Sequence, residues 1–277
     1  MNIAEISTVF VAGGTGKTGR RVAARLQARG IGVRVGSRGG RDPFDWHRPD
    51  TWAAAIGDAD AAYIAYAPDL AVPGADTHVG AFARVAVTQG VRRIVLLSGR
   101  GEPEAQVAEQ AVLAEAPDAT VLRASWMAQN FSEGDFVDLV RSGTVTLPVG
   151  TIGEPFVDVD DIADAAVAIL TGGGHEGWVH ELTGPRLLTF ADTAAEIAAA
   201  TGRDITFTTV DAADFTAALT ADGVPADEID LLRYLFAEVL DGRNAHLGTG
   251  VQDCLGRPAR DFREFAAEAA RTGVWNA

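Results

Sequence analysis

A glycine-rich loop directly behind the first apolar run constrains this chain more than any other feature. Thr8-Val9-Phe10-Val11-Ala12 reads as a buried strand and Gly13-Gly14-Thr15-Gly16-Lys17-Thr18-Gly19 as a tight turn. Arg20 to Arg29, with Val22, Ala23 and Leu26 at helical spacing, reads as an amphipathic helix. Glycines let the main chain approach a diphosphate, and the free N–H groups and positive dipole end of the helix receive the anion. A bare GxGxxG (Gly14, Gly16, Gly19) says little. Set between a strand and a helix, it points to a dinucleotide site. The rival P-loop needs a glycine five residues before Gly16, where Val11 stands.

The remaining segments alternate between strand-like and helix-like for most of the 277 residues. This predicts an α/β, Rossmann-type doubly wound parallel sheet with a smaller, mostly helical C-terminal lobe. Further strands are expected at Gly32 to Gly36, Phe44 to Trp46, Ala61 to Tyr66, Arg93 to Leu97, Thr120 to Leu122 and Trp178 to Leu182. Residues 1–125 form the nucleotide-binding domain, to which 152–188 returns, and 126–277 form the substrate lobe, with a cleft between them.

Composition narrows the function. A net charge of −15 opposes nucleic-acid binding and suits a neutral or cationic small substrate. The single cysteine, Cys254, excludes an internal disulfide and fits a reducing cytoplasm. It is expected in a C-terminal loop without a nearby histidine, as a packing residue. His47, His78, His175, His180 and His246 show no HxxxH or HExxH spacing, so no metal site is expected. No apolar stretch is long enough to span a bilayer. Monomer and homodimer both stay open.

An NAD site usually places Asp or Glu at the end of the second strand, on the ribose 2′-hydroxyl. Here that strand ends in Ser37-Arg38, a hydroxyl and a guanidinium suited to a 2′-phosphate. The expected cofactor is therefore NADP(H), the alternative being that Arg38 is a solvated loop residue with Asp42 nearby. Asp45 is placed to bond the adenine amino group or, equally, to cap a helix. Tyr66-Ala67-Pro68 and Ser98-Gly99 close later strands and line the cofactor trough.

Short-chain dehydrogenases commonly use Tyr-x-x-x-Lys as the proton source. The only lysine here is Lys17, in the glycine loop, so the chain cannot build that pair. Hydride addition to an iminium cation gives a neutral amine, and to a quinone a phenolate-like anion that solvent protonates. Activated acceptors of this kind stay open, with positioning as the main contribution.

Several ordered segments resemble the NmrA-like branch of atypical short-chain dehydrogenases, closest to bacterial relatives of agroclavine and festuclavine dehydrogenases. They include Gly13 to Thr18, Gly36-Ser37-Arg38, Phe44-Asp45-Trp46, Leu122 to Phe131, Pro155 to Ala163 and Leu182-Thr183-Gly184-Pro185. The resemblance implies NADP(H), with phosphates on Gly13 to Thr18, the 2′-phosphate on Ser37 and Arg38, and nicotinamide near Ala67, Ser98 and Trp126. Ala124 departs from it, since relatives usually carry proline there. Trp126, Met127, Asn130 and Phe131, then Phe156 and Tyr234, are the candidate substrate-pocket residues, core packing being the alternative for each aromatic. Asp160 and Asp161 read as helix caps. Family members either reduce quinones or iminium alkaloids, or sense NADP(H) through a protein partner. The expected function is a reductase of an activated acceptor, with the sensor as alternative.

Overall fold

A computed structural model describes residues 6–40, 42–134 and 136–276. The chain begins with β1 (Thr8–Ala12), α1 (Lys17–Ala28), β2 (Gly32–Gly36), α2 (Trp52–Ile56), β3 (Ala61–Ile64), α3 (Ala75–Thr88), β4 (Arg93–Gly99), α4 (Pro103–Glu115) and β5 (Thr120–Ala124). It continues through α5 (Asn130–Glu133), α6 (Val137–Ser142), β6 (Thr144–Leu147), α7 (Val159–Thr171), β7 (Val179–Leu182), α8 (Phe190–Thr201) and β8 (Thr206–Thr209). The last elements are α9 (Ala212–Ala221), α10 (Ala226–Tyr234), α11 (Gly250–Leu255) and α12 (Phe262–Thr272).

Six strands form one parallel sheet in the order β2-β1-β3-β4-β5-β7. Buried on both faces, its inner strands carry unbroken apolar runs: every residue of β3, Ala-Ala-Tyr-Ile, is buried. The order reverses between β1 and β3, and the crevice outside the carboxyl ends there is where open α/β sheets bind ligands.

Two compact units emerge. The first comprises Met1–Ala124, Val159–Leu182 and Gly248–Pro258; the second comprises Ser125–Asp158, Thr183–Leu247 and Ala259–Ala277. The returning segment is thus shorter than 152–188, and a second one, 248–258, also leaves the C-terminal lobe. Ion pairs accompany both returns. Arg25 of α1 reaches Asp160 at 2.5 Å and Asp164 at 2.7 Å, and Arg257 reaches the buried Asp161 at 2.8 Å. Asp160 and Asp161 therefore serve as arginine partners in the first turn of α7.

The segment Phe44 to Trp46 is not a strand. Pro43 lacks a ladder donor, and the Asp45 carboxylate accepts the His47 N–H at 2.9 Å to form a tight turn. Its apolar side chains plug the core as a loop. Phe44 packs 5.3 Å from Phe10, and Trp46 5.3 Å from Phe82. In the second unit β6 and β8, four residues each, form a separate parallel pair that the sequence did not announce. Beside them Phe131, Phe136, Phe156, Phe190 and Phe262 make an aromatic core, and Trp275 donates its indole N–H to the Phe131 carbonyl at 2.7 Å.

Candidate functional site

The glycine loop is tight enough that its composition is compulsory. Gly13 has φ +67, and a Cβ there would come within 2.7 Å of the Ala65 carbonyl oxygen. A Cβ on Gly19 would collide with the Gly13 carbonyl, so this glycine lets α1 start directly against the loop. Gly16 donates its N–H to Gly13 at 2.9 Å, and Lys17 opens a first turn with no acidic residue. Thr15 and Gly16 stay exposed, whereas Gly14, Thr18 and Gly19 are buried. The result is a main-chain cradle on a positive dipole end, which fits a diphosphate.

At the end of β2 the Ser37 carbonyl accepts the Phe44 N–H at 2.9 Å and closes the loop. Arg38 is exposed and has no hydrogen-bond or ion-pair partner among the described residues. Asp42 is paired with Arg34 at 3.0 Å, which offsets its negative charge.

Two cofactor candidates are otherwise engaged. The Asp45 carboxylate is used by the turn described above, and its carbonyl accepts the Trp52 indole N–H at 2.8 Å. Ser98 is buried and donates to Glu109 at 2.6 Å. Arg123 grips the same carboxylate through two hydrogen bonds of 2.8 and 2.6 Å, which satisfies this fully buried acid. Ser98 thus belongs to a buried network, not to a surface that meets ligand.

Tyr66 shares a 2.8 Å hydrogen bond with His78 Nδ1 and packs 4.9 Å from Trp46, and partial burial raises its pKa. Ala67 and Pro68 follow, exposed and joined by a cis peptide. Gly99 ends β4 beneath the Glu102 carboxyl, which occupies the space a Cβ would need. Glu102 is 6% exposed, and its Oε2 meets no donor. Burial first, then the facing Asp69 and the charges of Glu104 and Glu109, push its pKa strongly up. Held neutral in this way, the carboxyl leaves no uncompensated buried charge at the orphaned oxygen. Sequence reasoning passed over Glu102, because nothing local marks a glutamate as buried.

In the second unit, Trp126 and Met127 are held by the 154–158 segment. Ala128 donates to the Val157 carbonyl and Val157 to that of Trp126, both at 2.9 Å. Ser125 donates to the Pro155 carbonyl at 2.6 Å, and Gln129 to Asp158 at 2.8 Å. Trp126, Met127 and Asn130 are half-buried. Phe131 and Phe156 are 0% and 2% exposed inside the aromatic core, so they line no accessible pocket. Tyr234 does line one, a cavity of about 350 Å³ bounded also by Pro148, Phe215, Arg233 and Phe236. Trp126 packs 5.2 Å from Phe236, behind that wall.

Cys254 lies on a helix, α11, with His175 and His180 beside it. Strand pairing and helix packing bring together what sequence distance had separated. Among the described residues, no helix is long and apolar enough to cross a membrane.

A parallel sheet with a glycine cradle ahead of its first helix defines a NAD(P)-binding Rossmann fold. No family model matches the chain. The chain is 31% identical over 291 residues to agroclavine dehydrogenase of Claviceps fusiformis, covering 97% of this chain and 98% of that one. It is 30% identical over 281 residues to the uncharacterized oxidoreductase YesF of Bacillus subtilis, covering 96% and 97%. Triphenylmethane reductase of Citrobacter sp., solved with NADP(H), shares the fold with a TM-score of 0.75 over 95% of this chain and 99% of that one, at 19% identity. The chain belongs to the family of the agroclavine dehydrogenases and is an oxidoreductase.

Proposed function

We propose that this protein is an NADP(H)-dependent reductase of an activated small-molecule acceptor, an iminium ion or a quinone. The observation that carries the reading is Arg38, exposed and unpartnered among the described residues at the end of β2, in the same unit as the glycine cradle. Gly13 to Gly19 hold the diphosphate on the start of α1, and Ser37 and Arg38 hold the 2′-phosphate. When bound, the reduced nicotinamide supplies hydride. Trp126, Met127, Asn130 and Tyr234 are the side chains left to contact acceptor once Phe131 and Phe156 are assigned to the core.

The sole lysine, Lys17, opens α1, so no Tyr-x-x-x-Lys acid acts. None is required, because an iminium becomes a neutral amine, and the phenolate-like anion that a quinone becomes on accepting hydride takes its one proton from solvent. Glu102, protonated beside Gly99, adds no negative charge at the end of β4. The net charge of −15 favours cationic acceptors over anionic ones.

The test is turnover. NADPH mixed with a panel of quinones and cyclic iminium ions should lose its reduced-nicotinamide absorbance in proportion to the acceptor consumed. Tight NADPH binding with no oxidation across the panel would overturn the reductase reading and leave a sensor of NADP(H) that acts through a protein partner.

A further inference from the structure

We propose that His175, His180 and Cys254 form a binding site for a transition-metal cation of the zinc type. All three belong to the first unit, and their ligand atoms lie within 4.8 Å of one another. His180 is on β7, opposite Leu122 of β5, and is 4% exposed. His175 sits in the turn entering β7, where its carbonyl accepts the Thr120 hydroxyl at 2.7 Å. Cys254 is on α11, which packs on α7 and β7.

The approach of α11 depends on two glycines. A Cβ on Gly248 or Gly250 would come within 2.6 or 2.5 Å of the Glu181 carbonyl oxygen. Without side chains at these positions the helix settles on β7, and Cys254 reaches the histidine pair.

The distances suit a tetrahedral ion. His175 Nδ1 and His180 Nε2 are 3.1 Å apart. Two imidazole nitrogens on one zinc stand about 3.3 Å apart, and a nitrogen and a thiolate sulfur about 3.6 Å, given the usual bond lengths and tetrahedral angles. The nitrogen separation already matches; the two rings must turn by about 35° so that both lone pairs meet at the ion, and the sulfur must close in by about 1–1.5 Å. The ion would replace the hydrogen bond that now joins the two rings. Two imidazoles and a thiolate select a borderline ion over magnesium or calcium, and three protein donors leave a fourth position for water. The Trp178 ring lies parallel to that of His180, 5.8 Å away at 12°, and covers one side. His175 and Cys254 are half-buried, which leaves an entry path. The site precedes and flanks β7, whereas the glycine loop lies beyond the carboxyl end of β1. It is therefore independent of cofactor binding.

Full-length protein treated with chelator should be titrated with cobalt(II), and its zinc affinity measured by competition with a chromogenic chelator. One equivalent of cobalt should give a thiolate-to-metal charge-transfer band, and zinc should abolish that band and raise the unfolding temperature. Removing an outer-shell partner of a metal site already costs about 10–100-fold in affinity, so Cys254→Ser and His175→Asn should each weaken zinc by at least about 100-fold. NADPH affinity should be unchanged in both variants, which reports that they fold. Should Cys254→Ser fail to fold, the half-buried His175→Asn carries the test alone. No charge-transfer band in the parent protein, or zinc affinity unaltered in His175→Asn, would overturn the proposal.

Discussion

Replacing Glu102 by glutamine tests the most unusual electrostatic feature of the first unit. The Glu102 carboxyl is 6% exposed, faces Asp69, and has its pKa raised from 4.5 to about 9. Folded protein therefore keeps the proton at neutral pH, and the unfolded chain gives it up. Unfolding releases a proton, so stability falls as pH rises; the contribution is fully present below 4.5 and is lost as pH climbs to about 9. Within that window the slope is about 1.4 kcal/mol per pH unit, or about 3 kcal/mol between pH 6 and 8. Glutamine keeps the shape and has no proton to lose. Urea unfolding of parent and Glu102→Gln at several pH values cancels the titrating groups that do not interact with Glu102. The variant should gain about 3 kcal/mol on the parent across that range. Parallel pH dependences would show that Glu102 is ionised when folded, and its raised pKa would be refuted. Asp69→Asn, which removes one neighbouring charge, should shrink the dependence without abolishing it.

Three further outcomes are expected. Arg38→Ala should weaken NADPH by about 10- to 100-fold, the worth of a charge-assisted hydrogen bond, while leaving NADH unchanged in a fluorescence titration. Gly19→Ala, whose new methyl meets the Gly13 carbonyl, should cost about 1–3 kcal/mol of stability and weaken NADPH, read by thermal unfolding with and without cofactor. Glu109→Gln strands the Arg123 guanidinium, which is 21% exposed, and should cost about 3 kcal/mol at neutral pH in urea unfolding, with no change in NADPH preference.

The glycine loop was readable because its chemistry is local: strand, turn and helix start follow one another within one stretch of chain. The parallel sheet was readable for a similar reason, since apolar runs with helical spacers have few alternatives. Burial was not. Ser98 and Phe131 look like trough and pocket residues at the ends of strands, yet Glu109 in one case and a ring of phenylalanines in the other draw them inward. Phe44 to Trp46 has the composition of a strand, but Pro43 and the Asp45 turn keep it out of the sheet and make it a plug. The strands β6 and β8 are too short to signal alone, because each is defined by the other. Cys254 was misplaced because its histidine neighbours are supplied by sheet register and by the glycines of α11.

That return of α11 has a consequence for how the protein is made. The first unit is not an autonomous N-terminal module, because its last piece, Gly248–Pro258, is translated after nearly all of the second. A ribosome must deliver that late segment before the sheet edge at β7 acquires its cover. A chain stopped short of Gly248 should hold its glycine cradle on an unfinished scaffold.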